Sequence, residues 1–133
     1  MASIFSKIVK GEIPSYKVAE NDKFYAFLDI NPLAKGHTLV VPKKEVDYIF
    51  DINDDEYKEF FLFAKKVGIA IGKVVECKKI GLTVIGLEVP HAHIHLIPIN
   101  SIYDMDFKRE KLKFTPEEFL DIANKIVASY NLV

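Results

Sequence analysis

Three of the chain's four histidines stand at positions 91, 93 and 95, in the segment Val89-Pro90-His91-Ala92-His93-Ile94-His95-Leu96-Ile97-Pro98. On an extended backbone alternate side chains share a face, so the three imidazoles project together and Ala92, Ile94 and Leu96 project oppositely. That is the pattern of a strand with one polar face and one core face. Pro90 and Pro98 bracket a run too short for a helix. Histidine is the side chain whose ordinary pKa lies nearest neutrality, so three on one face read as chemistry rather than packing. Three chemistries fit. The imidazoles could ligate a metal, although same-face neighbours on a strand lie roughly 6.5–7 Å apart and zinc–nitrogen bonds are about 2 Å long. One could serve as general acid or base while its neighbours orient it. One could attack phosphorus or a carbonyl as a nucleophile. Spacing alone leaves all three open.

The elements that must position these residues follow from periodicity and punctuation. Ile4, Phe5, Ile8 and Val9 have the spacing of one helical face, with Ser3 as N-cap and Gly11 closing the turn. Pro14 forces an extended exit. Strands are expected at about Tyr16–Glu20 and Phe24–Asp29, joined by the turn formers Asn21-Asp22-Lys23. After the loop residues Asn31-Pro32 and Lys35-Gly36, the β-branched run His37-Thr38-Leu39-Val40-Val41-Pro42 reads as a central strand. A short turn is expected near Tyr48–Asp51. The acids of Asp51-Ile52-Asn53-Asp54-Asp55-Glu56 then suit a helix N-terminus. Tyr57, Phe60, Phe61, Ala64, Val67, Ile71 and Val74 continue at helical spacing to about Cys77, and Gly68 and Gly72 within that helix would admit a close backbone neighbour. Residues 80–86 alternate loosely, and Thr115-Pro116-Glu117-Glu118 opens a last helix ending near Tyr130. The expected fold is α+β: a mostly antiparallel five-stranded sheet, one long helix, and short N- and C-terminal helices.

Composition removes several classes of function. The 133 residues suit a single domain spanning 1–133, and no repeat or linker divides them. Lys+Arg 18 against Asp+Glu 19 gives a formal net charge of −1, so binding of nucleic acid through phosphate neutralisation is not expected. No apolar run has the length of a membrane span. The opening Met-Ala-Ser-Ile-Phe-Ser-Lys-Ile-Val-Lys lacks the continuous apolar stretch of a signal peptide, so a cytoplasmic location is expected. The single cysteine, Cys77, excludes an intrachain disulfide and a cysteine-based metal cluster.

Beyond the histidines, three further blocks carry a resemblance. Ile4-Phe5-Ser6-Lys7-Ile8-Val9-Lys10-Gly11-Glu12-Ile13-Pro14, Ala26-Phe27-Leu28-Asp29-Ile30-Asn31-Pro32 and Lys35-Gly36-His37-Thr38-Leu39-Val40-Val41-Pro42-Lys43 precede His-x-His-x-His in the order found in the histidine triad (HIT) superfamily. The chain resembles that superfamily from about residue 3 to residue 99, and within it the nucleotide-binding, phosphoramidase-like branch. The resemblance implies a hydrolase or transferase acting on the α-phosphate of a purine nucleotide derivative of AMP or GMP, through a covalent nucleotidyl-histidine. His93 would be the nucleophile. The His91 backbone carbonyl would hold its second ring nitrogen, and His95 and His37 would flank the phosphate. Phe5, Ile8, Phe27, Ile30 and Leu39 would clamp the base, and Asp29 would accept from the ribose hydroxyls. A homodimer and no cofactor are implied as well.

Three departures from the family pattern bear on chemistry. Where many bacterial relatives place Cys-x-x-Cys and a further histidine for structural zinc, this chain has Ser3, Ser6 and Glu45, so no metal is expected. Leu87 replaces a glutamine that contacts the leaving-group side of the phosphate. Ile80–Ile85 lacks the family's asparagine. Glu88 is then the residue available to protonate or orient a departing amine. A dinucleoside polyphosphate hydrolase, or a nucleotide-binding protein with little turnover, are the alternative functions.

Overall fold

The computed structural model describes residues 2–133. The chain begins with helix α1 (Ile4–Val9), whose first turn is closed by Ser3 accepting the Ser6 N–H on its side chain. Strands β1 (Lys17–Glu20) and β2 (Phe24–Leu28) form a hairpin. Its turn is held by Asn21 Oδ1, which accepts the N–H groups of Lys23 and Phe24. Strand β3 (Thr38–Pro42), the long helix α2 (Asp54–Val74), strands β4 (Lys79–Thr83) and β5 (Ile94–Ile99), and helix α3 (Pro116–Tyr130) complete the order. The five strands pair antiparallel in the order β1-β2-β3-β5-β4.

Both faces of the central strands are covered, so their side chains partition by parity. Phe24, Ala26 and Leu28 of β2, Val40 of β3, and Ile94 and Leu96 of β5 join the α2 and α3 side chains Phe60, Phe63, Ala64, Val67, Ile71, Phe119, Ile122 and Ile126 in one core. The other parity, Tyr25, Phe27, Leu39 and Val41, meets Phe5 and Ile8 of α1 in a second cluster. His95 pairs directly with Leu39 and with Thr83. The functional face is therefore the face opposite the long helix.

Three details depart from the sequence expectation. Strand β5 starts at Ile94, not at Val89. Pro90 has no N–H for a ladder, the His91 N–H turns back to Val89 O, and the Ala92 N–H is taken by Val46 O. Within α2 the buried positions include Phe63 and Ala70, whereas Val74 is exposed. Gly68 and Gly72 face the Ile80 side chain of β4 at ordinary contact distance, not a neighbouring backbone.

Candidate active site

A cavity of about 430 Å³ opens on the α1 face of the sheet. Phe5 and Ile8 of α1, Phe27 of β2 and Leu39 of β3 form its apolar wall, and Asp29 lies at the end of β2. His93, His95, Glu88 and Phe107 complete its lining. Ile30 and Leu87 stand at the mouth, 64% and 88% exposed. Every residue expected to surround a nucleotide therefore borders one cavity. Two of the expected catalytic residues do not: His91 and His37 are buried behind its wall at 0% and 1% exposure.

The hydrogen bonds fix which nitrogen of each ring carries the proton. His37 Nδ1 accepts the Leu33 N–H at 3.0 Å, so its proton sits on Nε2, which donates to His95 Nδ1 at 3.0 Å. His95 consequently carries its proton on Nε2. His93 Nδ1 lies 2.8 Å from the His91 carbonyl, which can only accept; the proton is on Nδ1 and the Nε2 lone pair is free. No buried side-chain nitrogen or oxygen among the described residues lacks a partner, so the unpaired Nε2 atoms of His93 and His95 both reach the cavity. The site thus offers one imidazole lone pair beside one imidazole N–H. His93 and His95 pack edge to face at 4.9 Å between centroids, and Phe5 packs on His93 at the same distance.

Burial keeps these rings neutral. Desolvation pushes the His37 pKa down to about 3 and that of His95 to about 4, each further lowered by a neighbouring histidine. His91 and His93 are also lowered, by burial first. Asp29 is raised by burial, against the lowering effect of the Asn31 N–H it accepts at 2.8 Å. Gly36 makes the approach of His37 to this group feasible. Its φ of +88° belongs to the left-handed region, and a Cβ there would come within 2.9 Å of a Val75 methyl.

Asp29, His37 and His95 bring side-chain ligand atoms within 4.8 Å of one another, close enough to ask whether they would hold a metal. The tautomer argues against it. Ligation through His37 Nε2 would require moving its proton to Nδ1, which already receives the Leu33 N–H. The positions where the resemblance would place a structural zinc, Ser3, Ser6 and Glu45, fit no better. Ser3 and Ser6 supply hydroxyls instead of thiolates, and both nitrogens of His91 are committed, Nε2 donating to Pro42 O at 2.7 Å and Nδ1 accepting from Ser3 Oγ at 2.8 Å.

Two participants carried no sequence signal. Phe107 packs edge-on against His95 at 4.9 Å and against His37 at 6.3 Å, and it belongs to the aperiodic segment after a 3₁₀ turn at Ile102–Met105. Lys111 follows, its ammonium held by the carbonyls of Phe107 and Arg109, and its charge acts on both Asp29 and His37. Neither hydrophobic spacing nor a motif marks this stretch.

Comparison with known proteins gives the family. Residues 10–102 match the HIT domain family. An uncharacterized HIT-like protein of Borreliella burgdorferi is 37% identical over 92% of this chain and 94% of its own. The adenosine 5'-monophosphoramidase of Schizosaccharomyces pombe is 35% identical over 95% of this chain and 96% of its own. Among solved structures, a HIT-like protein from Bartonella henselae, described as involved in cell-cycle regulation, superposes with a TM-score of 0.82 at 32% identity, covering 96% of this chain and 95% of its own. The chain belongs to the HIT family, and its five-stranded antiparallel sheet with three helices is the fold of these relatives. No helix among the described residues is long and apolar enough to cross a membrane.

Proposed function

We propose that the protein hydrolyses purine nucleoside phosphoramidates, or closely related nucleotidyl conjugates, through a covalent intermediate on His93. The observation that carries this reading is the His93 ring. Its Nδ1–H is anchored on the His91 carbonyl at 2.8 Å and its Nε2 lone pair is directed at a cavity with one apolar wall. The similarity to an adenosine 5'-monophosphoramidase supports the same class of substrate.

In the first step Nε2 bonds to the α-phosphorus as the P–N bond breaks, and its electron pair leaves on the amine. The imidazole becomes positively charged, and the Nδ1–H···O=C bond to His91 stabilises that charge. Water then attacks the same phosphorus, the Nε2–P bond breaks, the proton this water sheds replaces the one given to the amine, and the monophosphate departs with His93 neutral again. His95 presents its Nε2–H to the phosphoryl oxygens, and the His37 Nε2–H behind it keeps that tautomer. Glu88, on the cavity rim, orients the departing amine and the water that protonates it. Phe5, Ile8, Phe27 and Leu39 sandwich the base, Ile30 closes over it, and Asp29 accepts from the ribose hydroxyls.

His93→Ala is expected to lower turnover of adenosine phosphoramidate by on the order of 10³-fold or more, since no second lone pair faces phosphorus. Retention of most of the wild-type rate would remove the nucleophile assignment. Intact-protein mass spectrometry of the quenched wild-type reaction should show one nucleotidyl adduct, absent from the variant.

A further inference from the structure

A second polar cluster lies behind the cavity wall, and none of its members borders the cavity. It joins three parts of the chain: Ser3 and Ser6 of the first helical turn, Glu45 after β3, and His91. Ser3 Oγ is 2.8 Å from His91 Nδ1 and 3.4 Å from Ser6 Oγ. Ser6 Oγ is 3.4 Å from His91 Nδ1 and 2.8 Å from Glu45 Oε1, and that oxygen is 4.0 Å from His91 Nδ1. The edges of a tetrahedral zinc site, with bonds of 2.0–2.3 Å, are about 3.3–3.8 Å long. Two of the five separations match such an edge, two are shorter at 2.8 Å and one is longer at 4.0 Å, with hydrogen bonds where coordinate bonds would be.

The protons can be assigned throughout. His91 donates Nε2–H to Pro42 O, so Nδ1 accepts, and the Ser3 hydroxyl is its donor. Ser3 Oγ accepts the Ser6 N–H, while the Ser6 hydroxyl and the Ser3 N–H both go to Glu45 Oε1. One carboxylate oxygen thus binds two points of α1. The same helix then binds the ring whose own carbonyl orients His93. It also carries Phe5, which lies against the His93 ring.

We propose that Glu45 is a positioning residue: through Ser3 and Ser6 it latches α1 onto the His91 ring, fixing the carbonyl that holds His93 in its nucleophilic tautomer. The latch does by hydrogen bonds what a tetrahedral metal would do by coordination. Its catalytic consequence rests on the assignment of His93 as nucleophile; its structural consequence does not.

The test compares Glu45→Ala, Glu45→Gln and the triple variant Ser3→Cys/Ser6→Cys/Glu45→His. Glu45→Ala is expected to lower kcat about tenfold with KM changed less than about threefold. Nitrogen-15 NMR of the His93 ring should then show the proton shared between Nδ1 and Nε2, instead of residing on Nδ1 as in wild type. Glu45→Gln retains an oxygen acceptor and should keep kcat within about threefold of wild type. The triple variant should bind one zinc per chain by elemental analysis and, loaded, recover both the Nδ1–H signal and the lost kcat. An unchanged tautomer and kcat in Glu45→Ala, even with a lower Tm, overturn the latch, as does a folded triple variant that takes up no stoichiometric zinc. A shifted tautomer in Glu45→Ala alongside an active His93→Ala would keep the latch and reject only the nucleophile.

Discussion

His91 and His93 are two residues apart and belong to the same motif, yet their rings are treated in opposite ways. Both nitrogens of His91 are occupied, by Pro42 O and Ser3 Oγ, and the ring is fully buried. His93 has one nitrogen tied to the His91 carbonyl and one left for the cavity. The difference shows that spacing assigns these residues to a site without assigning their work. What separates the two rings is how many of their nitrogens the surrounding groups leave open.

Exchanging each ring for a methyl group should break the pair apart most visibly. His91→Ala takes the acceptor from the Ser3 hydroxyl proton and the ring donor from the Pro42 carbonyl, and opens a cavity, a combined cost of about 3–5 kcal/mol. Urea denaturation would register it as a lower midpoint. His93→Ala removes a ring that makes one internal hydrogen bond and should cost about 1–2 kcal/mol while abolishing turnover. Equal stability losses in the two variants would contradict the division into closed and open imidazoles.

The second effect is one of pH. His37 and His95 have folded pKa values near 3 and 4, both below the ordinary 6.5. Below pH 6.5 the unfolded chain takes up protons that the folded chain refuses, so stability is full above 6.5 and falls as pH falls toward the folded values. Between pH 7 and pH 5 each should remove on the order of 2 kcal/mol, in a window above most carboxylate titration. Asp29, raised by burial, contributes with the opposite sign. A urea midpoint flat across that window would mean the rings accept protons in the folded state, and the tautomer chain from Leu33 to His95 would fail.

Much of this was legible in the sequence. The parity of the strands, the cap at Ser3, the loop before His37 and the capping pair Thr115 and Glu118 all follow from local rules. The start of β5 was not, because where a strand begins depends on which backbone groups find partners, and Val46 O lies 46 residues before the Ala92 N–H it accepts. The burial of His91 and His37 was hidden for the same reason: their partners, Ser3, Pro42 and Leu33, come from other elements. Phe107 and Lys111 lie in a segment with no period to read.

Smaller effects sharpen the comparison on the binding side of the cavity. Asp29 holds the Asn31 N–H with one oxygen, and its other oxygen is 3.6 Å from His37 Nε2. Asp29→Asn removes a charged acceptor without removing a ring, so KM should rise about tenfold, or about 1.4 kcal/mol, with kcat within threefold. A fall in kcat at constant KM would instead tie Asp29 to the imidazole relay.

Leu87 is the position where the smallest effect is expected, and where the substrate is most open to experiment. At 88% exposure it contributes little to stability, so Leu87→Gln should leave the urea midpoint within about 0.5 kcal/mol. The substitution adds an amide donor at the mouth of the cavity that His93 lines, beside Glu88. A donor there can bind a bridging oxygen between phosphates but has little to offer an amine already leaving with its proton. The ratio of kcat/KM for dinucleoside polyphosphate over phosphoramidate should therefore rise about three- to tenfold, a change of about 1 kcal/mol. Assaying both substrates with wild type and variant measures it directly. An unchanged ratio would place leaving-group selection elsewhere on the rim, with Glu88 and Phe107 the next positions to vary.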